Sequence, residues 1–242
     1  MTVVDVHIHL AEFTREKIEE FVSRGYILVG VAEDYETSLK VLELRDSYPE
    51  NVKACVGIHP WSLRNLEDYT RELELVSQLL PDADCVGEVG LDKKFVPETF
   101  HQQLAVFREL AGRAVERGVP LNVHSAGAWR EVLEVLGELG AKKVVLHWWT
   151  GPLNLLLELS RRGYFVSVNA ALKVQEKSRV IAREAPLDAL LTESDGPYEY
   201  RGLSLSPSLI PEALQIIAQI KGLAVDELER AIYRNFTRVF TA

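Results

Sequence analysis

Eight short apolar runs rich in β-branched residues alternate with longer amphipathic stretches, and this alternation limits the chain to a few architectures. The runs occupy residues 3–9, 27–32, 52–58, 85–89, 121–124, 144–147, 164–168 and 189–192. Several are almost continuously apolar, as parallel strands covered on both faces must be. Between them, apolar residues recur every three or four positions. Phe100, Leu104, Phe107, Leu110, Ala111 and Ala114 make one such helical stripe, and Val132, Leu133, Val135, Leu136 and Leu139 make another. Helices are also expected over residues 153–159, 210–220 and 228–240. Strand–helix alternation of this kind predicts βα units and a parallel sheet. Glycine and proline punctuate the joints, and residues 198–207 form the longest apparent loop, the best candidate for a substrate-facing flap.

The ends of the expected strands carry chemistry. His7 and His9 lie two apart and so share a strand face. His59 follows the third run, Glu88 lies near the end of the fourth, His124 ends the fifth, His147 ends the sixth, and Asp195 follows the eighth. Imidazoles and carboxylates suit Zn, Mn, Co, Ni, Fe or Mg. Without His59 they offer six donors, more than the three of a typical mononuclear catalytic zinc, whereas two ions sharing a bridging carboxylate would use them all. Geometry then separates two folds. Strands lie ~4.8 Å apart, so an open eight-strand sheet would hold its edges roughly 30 Å from each other. Metal bonds of about 2 Å cannot converge across that span. A closed α/β architecture, a TIM-like (β/α)8 barrel with its site at the C-terminal ends of the strands, removes the conflict.

Length agrees: 242 residues are close to the ~250 of one such barrel, so residues 1–242 are read as a single domain. Apolar residues make up 47% and charged residues 26%, enough to bury a sizeable core. No apolar run approaches the ~20 residues that cross a bilayer, and the first residues lack the pattern of a signal peptide. The expectation is a soluble, cytoplasmic protein with no membrane partner. Cys55 and Cys85 sit in strand-like segments without zinc-pair spacing, and are expected to be buried thiols in a reducing compartment. The net charge of −9 weighs against a broad basic surface for DNA. It does not exclude a nucleic-acid substrate, because bound divalent cations reverse the local potential.

At these residues the sequence resembles the TatD-type metal-dependent hydrolase (deoxyribonuclease) family, within the amidohydrolase-like barrels. The matching blocks are Asp5-Val6-His7-Ile8-His9, Gly57-Ile58-His59-Pro60, Gly87-Glu88-Val89-Gly90-Leu91-Asp92 and Pro120-Leu121-Asn122-Val123-His124-Ser125. Val145-Leu146-His147, Thr192-Glu193-Ser194-Asp195-Gly196-Pro197 and Asn235 with Phe240 complete them. The resemblance implies two divalent metal ions. His7, His9 and Asp195 would hold one, His124 and His147 the other, and Glu88 would bridge. It also implies phosphodiester hydrolysis, with DNA as a possible substrate and Asp195 as general base toward the attacking water. A small substrate with a C–N or C–O bond is the competing expectation, and a non-catalytic metal-binding barrel the third. Oligomeric state has no signature in the sequence.

Other residues carry lesser expectations. His59 is a candidate donor to a phosphate oxygen, and Trp61, Trp148 and Trp149 are candidate platforms for a base or sugar. Only one of the adjacent pair Trp148 and Trp149 readily faces a pocket. Asp5 and Asp92 are equally suited to structural work and to orienting a ligand. Tyr198 and Tyr200 are weaker substrate candidates. Asn235 is expected to tie the last helix to the barrel, and His101, inside a helix, to stay out of the site. The sequence departs from the family pattern at the substrate rim. Ala126 follows His124-Ser125 where many members have arginine, leaving Arg130 or Arg201 as replacement cations. Trp148-Trp149 and Lys93-Lys94-Phe95 are also unusual.

Overall fold

The computed structural model describes residues 3–241. All eight expected strands form: β1 (Val4–Ile8), β2 (Ile27–Gly30), β3 (Val52–Val56), β4 (Cys85–Gly90), β5 (Leu121–His124), β6 (Val144–Leu146), β7 (Phe165–Val168) and β8 (Leu190–Thr192). They pair in parallel in chain order from β1 to β8. Helices fill the connections: α1 (Arg15–Ser23), α2 (Tyr35–Ser47), α3 (Tyr69–Leu79), α4 (Phe100–Arg117), α5 (Trp129–Glu138), α6 (Leu153–Arg161) and α7 (Glu176–Glu184). α8 (Ile210–Lys221) and α9 (Val225–Phe240) follow the last strand. Their starts are chemically marked. Asp34 and Thr37 make a reciprocal capping box at α2, and the Asp68 carboxylate accepts from the first turn of α3.

Hydrogen bonds from β8 and its following loop, most of them through backbone groups, stitch the sheet closed against β1. The Thr192 hydroxyl donates to the Val4 carbonyl (2.7 Å), and the Ser194 N–H donates to Asp5 Oδ1 (2.8 Å). The Asp195 N–H donates to the His7 carbonyl (3.0 Å), and the His9 N–H to that of Gly196 (2.9 Å). Asn235 of α9 is buried and donates to the carbonyls of Leu187 and Leu190 (2.8 Å each), tying the last helix to β8 as expected.

The register of β4 slips between Val86 and Val89 against β5. A bulge of this kind re-aims the side chain it carries, here Glu88. Gly90 follows with φ +144°, and a Cβ there would stand 2.0 Å from the His124 carbonyl oxygen, so β4 and β5 approach this closely only because the residue is glycine.

Two expectations change. Cys55 and Cys85 are not separate thiols: they are register partners on β3 and β4, with Cα atoms 4.3 Å apart, and form a disulfide. Sequence places each in a strand but does not set the register that brings them opposite. Residues 198–207 are not wholly irregular, because β9 (Glu199–Tyr200) pairs antiparallel with β10 (Leu203–Ser204). Among the described residues no single helix is long and apolar enough to cross a membrane.

Candidate metal centre

The strand ends converge on Glu88, whose carboxylate is almost wholly buried. Its two oxygens face different histidines. Oε1 lies 2.8 Å from His124 Nδ1, 2.8 Å from His147 Nε2 and 3.2 Å from His59 Nε2. Oε2 lies 3.3 Å from His7 Nε2 and 3.7 Å from His9 Nε2. Asp195 Oδ1 completes the second group, 3.3 Å from His7 Nε2 and 3.5 Å from His9 Nε2. Asp195 turns into place through a left-handed backbone (φ 55°) in the loop that follows β8, and Trp148 does the same (φ 38°) after His147. Such conformations cost about 1–3 kcal/mol each in non-glycine residues and cluster where function needs them.

Hydrogen bonds around the rings decide which nitrogen is free. Asp92 accepts from His124 Nε2 (3.1 Å), turning Nδ1 toward Glu88. The Asp92 carboxylate is itself held by the indole N–H of Trp61 (2.6 Å) and the backbone N–H groups of Lys94 (2.7 Å) and Phe95 (2.8 Å). His59 Nδ1 accepts from the Trp61 backbone N–H (3.2 Å), so a neutral His59 carries its hydrogen on Nε2, the nitrogen that faces Glu88 Oε1. Asp5 makes no hydrogen bond to the His7 ring. Its Oδ1 accepts from the backbone N–H groups of His7 (3.2 Å) and Ser194 (2.8 Å), fixing the segments that present His7 and Asp195.

Without cations, protons on the rings must offset the buried carboxylates. His7 Nε2 and Glu88 Oε2 are buried, lack hydrogen-bond partners and face one another. Burial opposes charge on His7, yet the Glu88 and Asp195 carboxylates outweigh it and hold the imidazole well above its ordinary range. His124 is likewise pushed up to about 9, burial being overcome by Asp92 and Glu88. His147, buried beside His7, falls to about 4. Burial favours a neutral Glu88, but the surrounding imidazoles hold it well below the usual carboxylate range. The carboxylates draw protons onto the rings, a positive charge that divalent cations would supply instead. Donor spacings of 2.8–3.7 Å are shorter than two metal–ligand bonds of about 2.1 Å laid end to end, so the residues present fit metal.

The centre opens into a pocket of about 320 Å³. A model of the TatD-related DNase family matches residues 4–241. The chain belongs to that family. As a member of the TatD-related DNase family it is a metal-dependent hydrolase, similar to human deoxyribonuclease TATDN3, at 28% identity over 260 residues covering 98% of this chain and 94% of the relative. It is also similar to the uncharacterized metal-dependent hydrolase YcfH of Escherichia coli K12, at 30% identity over 262 residues covering 99% and 96%. A solved structure of YJJV, a TatD homolog from E. coli K12, superposes with a TM-score of 0.87 at 22% identity, covering 99% of this chain and 98% of that one. At that identity the likeness speaks for the barrel alone.

At the rim of this family member the structure follows the sequence reading in part. Trp148 lines the pocket, its indole N–H donating to Gln175 (3.2 Å), whereas Trp149 is buried beneath and packs near Trp129. Tyr198 and Tyr200 do reach the pocket, set edge-on to Trp148. Arg130 and Arg201 do not: Arg130 pairs with Glu158, and Arg201 lies over Tyr200 with its guanidinium on the Val174 carbonyl. The lining cations are Lys94, in a segment that the sequence reading placed on the rim, and Lys177, which it did not single out. His101 is exposed on α4, away from the centre. Glu193 and Gln103 were also missed. Glu193 is fully buried, bonded by Ser167 and Asn169, and pushed up to about 8 by burial. Gln103 of α4 accepts from the Asp92 N–H (2.7 Å), bracing the loop that orients His124. A polar residue on an otherwise apolar helix stripe was the available signal for Gln103. Glu193 had none beyond its neighbour Asp195.

Proposed function

We propose that this chain is a two-cation phosphodiesterase acting on DNA, with one ion held by His7, His9 and Asp195, the other by His124 and His147, and Glu88 bridging. The observation that carries this reading is the division of the Glu88 carboxylate, one oxygen toward each histidine pair. Divalent cations bound there lower the pKa of water and offset charge on phosphoryl oxygens. The chain's own groups do the rest. Asp195 lines the pocket and takes the proton of the attacking water on its carboxylate. His59 donates from Nε2 to a phosphate oxygen. Asp92 keeps the His124 ring turned toward Glu88.

The rim suits a nucleotide strand. Trp61 and Trp148 border the pocket, and each indole N–H is anchored, to Asp92 and to Gln175, which leaves the ring faces for bases. Lys94 and Lys177 supply positive charge near the backbone phosphates. Glu12 and Glu33, also on the lining, favour the rival reading of a small ester, lactone or amide. One experiment separates them. Single-stranded oligonucleotides with free or blocked 3′ and 5′ ends, incubated with Mg2+ or Mn2+, are expected to be cut by the wild type and not by Asp195→Asn. Intact oligonucleotides beside a hydrolysed ester or amide would reverse the ranking. Glu88→Ala is expected to lose most bound metal and His101→Ala none; equal retention would refute the bridge.

A further inference from the structure

Asn122 of β5 reaches across the barrel to two consecutive residues of β1. It is fully buried. Its Nδ2 donates to the Val6 carbonyl (2.6 Å), and its Oδ1 lies 2.8 Å from His7 Nδ1. The first bond fixes the amide, because only the NH2 group can donate to a carbonyl. The atom facing His7 is therefore an acceptor, and His7 Nδ1 must carry a hydrogen. In a neutral ring the lone pair is then on Nε2, the buried, unpartnered nitrogen that faces Glu88 Oε2 and Asp195 Oδ1 at 3.3 Å each.

We infer that Asn122 is a positioning residue: it sets the metal-binding tautomer and ring orientation of His7, and so the affinity of the cation position His7 shares with His9 and Asp195. The inference rests on the two-cation reading above. No carboxylate substitutes for this contact. Asp92 serves His124, while Glu33 lies 3.6 Å from His9 Nδ1 and Glu193 3.9 Å from His147 Nδ1. A neutral amide orients His7 without adding negative charge beside Glu88 and Asp195. The neighbouring strand makes room for it: a Cβ on Gly87 would stand 2.6 Å from Asn122 Cβ.

The test is a Zn2+ titration of the full chain against a chromogenic chelator, which needs no substrate. Asn122→Leu keeps the number of side-chain heavy atoms and the branching at Cγ but has no polar side-chain atoms. It is expected to weaken one of two ions by roughly 10- to 100-fold, leaving the other, whose His124 is set by Asp92, unchanged. Asn122→Asp keeps the acceptor for His7 and gives up the bond to Val6, and is expected to stay within a few-fold of wild type. Wild-type affinity for both ions in the leucine variant would overturn the inference. So would an aspartate variant as weak as the leucine one, since the loss would then follow the Val6 bond. If the leucine variant does not fold, long-range 1H–15N spectra of Zn2+-loaded wild type decide. A proton on His7 Nδ1 supports the assignment, and one on Nε2 overturns it. A wild type that binds only one ion sinks the two-cation reading as well, a failure visible before any variant is made.

Discussion

The bridge between Cys55 and Cys85 closes a loop of 30 residues, and its contribution follows from that length. Confining such a loop removes about 12 cal/mol/K from the unfolded chain, about 3.6 kcal/mol at 25 °C. A chain of 242 residues melts with an entropy of about 0.5 kcal/mol/K, taking about 2.1 cal/mol/K per residue. The bridge is therefore expected to raise the melting temperature by about 7 °C. Both cysteines are fully buried, so the protein must be unfolded in reductant and refolded to open it. Calorimetric melting of that sample, kept reduced, is compared with melting of protein that never met reductant. Thiol titration of the unreduced protein in denaturant should find no free thiol. Two free thiols would show that the bridge does not form. A confirmed bridge with equal melting temperatures would refute the loop-entropy argument.

Loading the metal-free protein with Zn2+ near neutral pH should release protons, because the carboxylates hold His7 well above its ordinary range and His124 at about 9. Calorimetry in buffers of different ionisation enthalpy counts them, and an enthalpy independent of buffer would contradict the prediction. Affinity should fall as pH drops, since protons then compete for the same nitrogens. Trp61→Leu and Trp148→Leu should each raise KM for a single-stranded oligonucleotide by roughly 5- to 150-fold, the worth of one stacked base. An unchanged KM in both would move the substrate away from the indoles. Asn235→Ala removes a donor shared by two carbonyls and should cost about 1–3 kcal/mol in urea unfolding, with metal content unaltered.

The barrel was legible because apolar β-branched runs mark strands whatever their neighbours, and because His7, Glu88, His124, His147 and Asp195 cannot meet on an open sheet. What stayed hidden depends on relations between strands. Cys55 opposite Cys85 is a matter of register, and Asn122 beneath His7 is a contact across the barrel between residues 115 apart. Neither distance is written in either segment alone. Lys177 was missed for another reason: it lies in the first turn of α7, where a lysine looks like any solvated charge on a helix. Trp148 against Trp149 was half visible. Strand alternation says that one of them turns inward, but the left-handed turn at Trp148 is a property of the folded rim.

The bonds that join the last strand to the first run through Asp5, His7, Ser194 and Asp195, the same stretch of chain that presents the acid and imidazole groups. Sealing the cylinder and arming it are thus one event. Any change that lets this joint breathe, whether by heat, denaturant or a cut in the peptide nearby, should silence the enzyme while most of its helices are still in place.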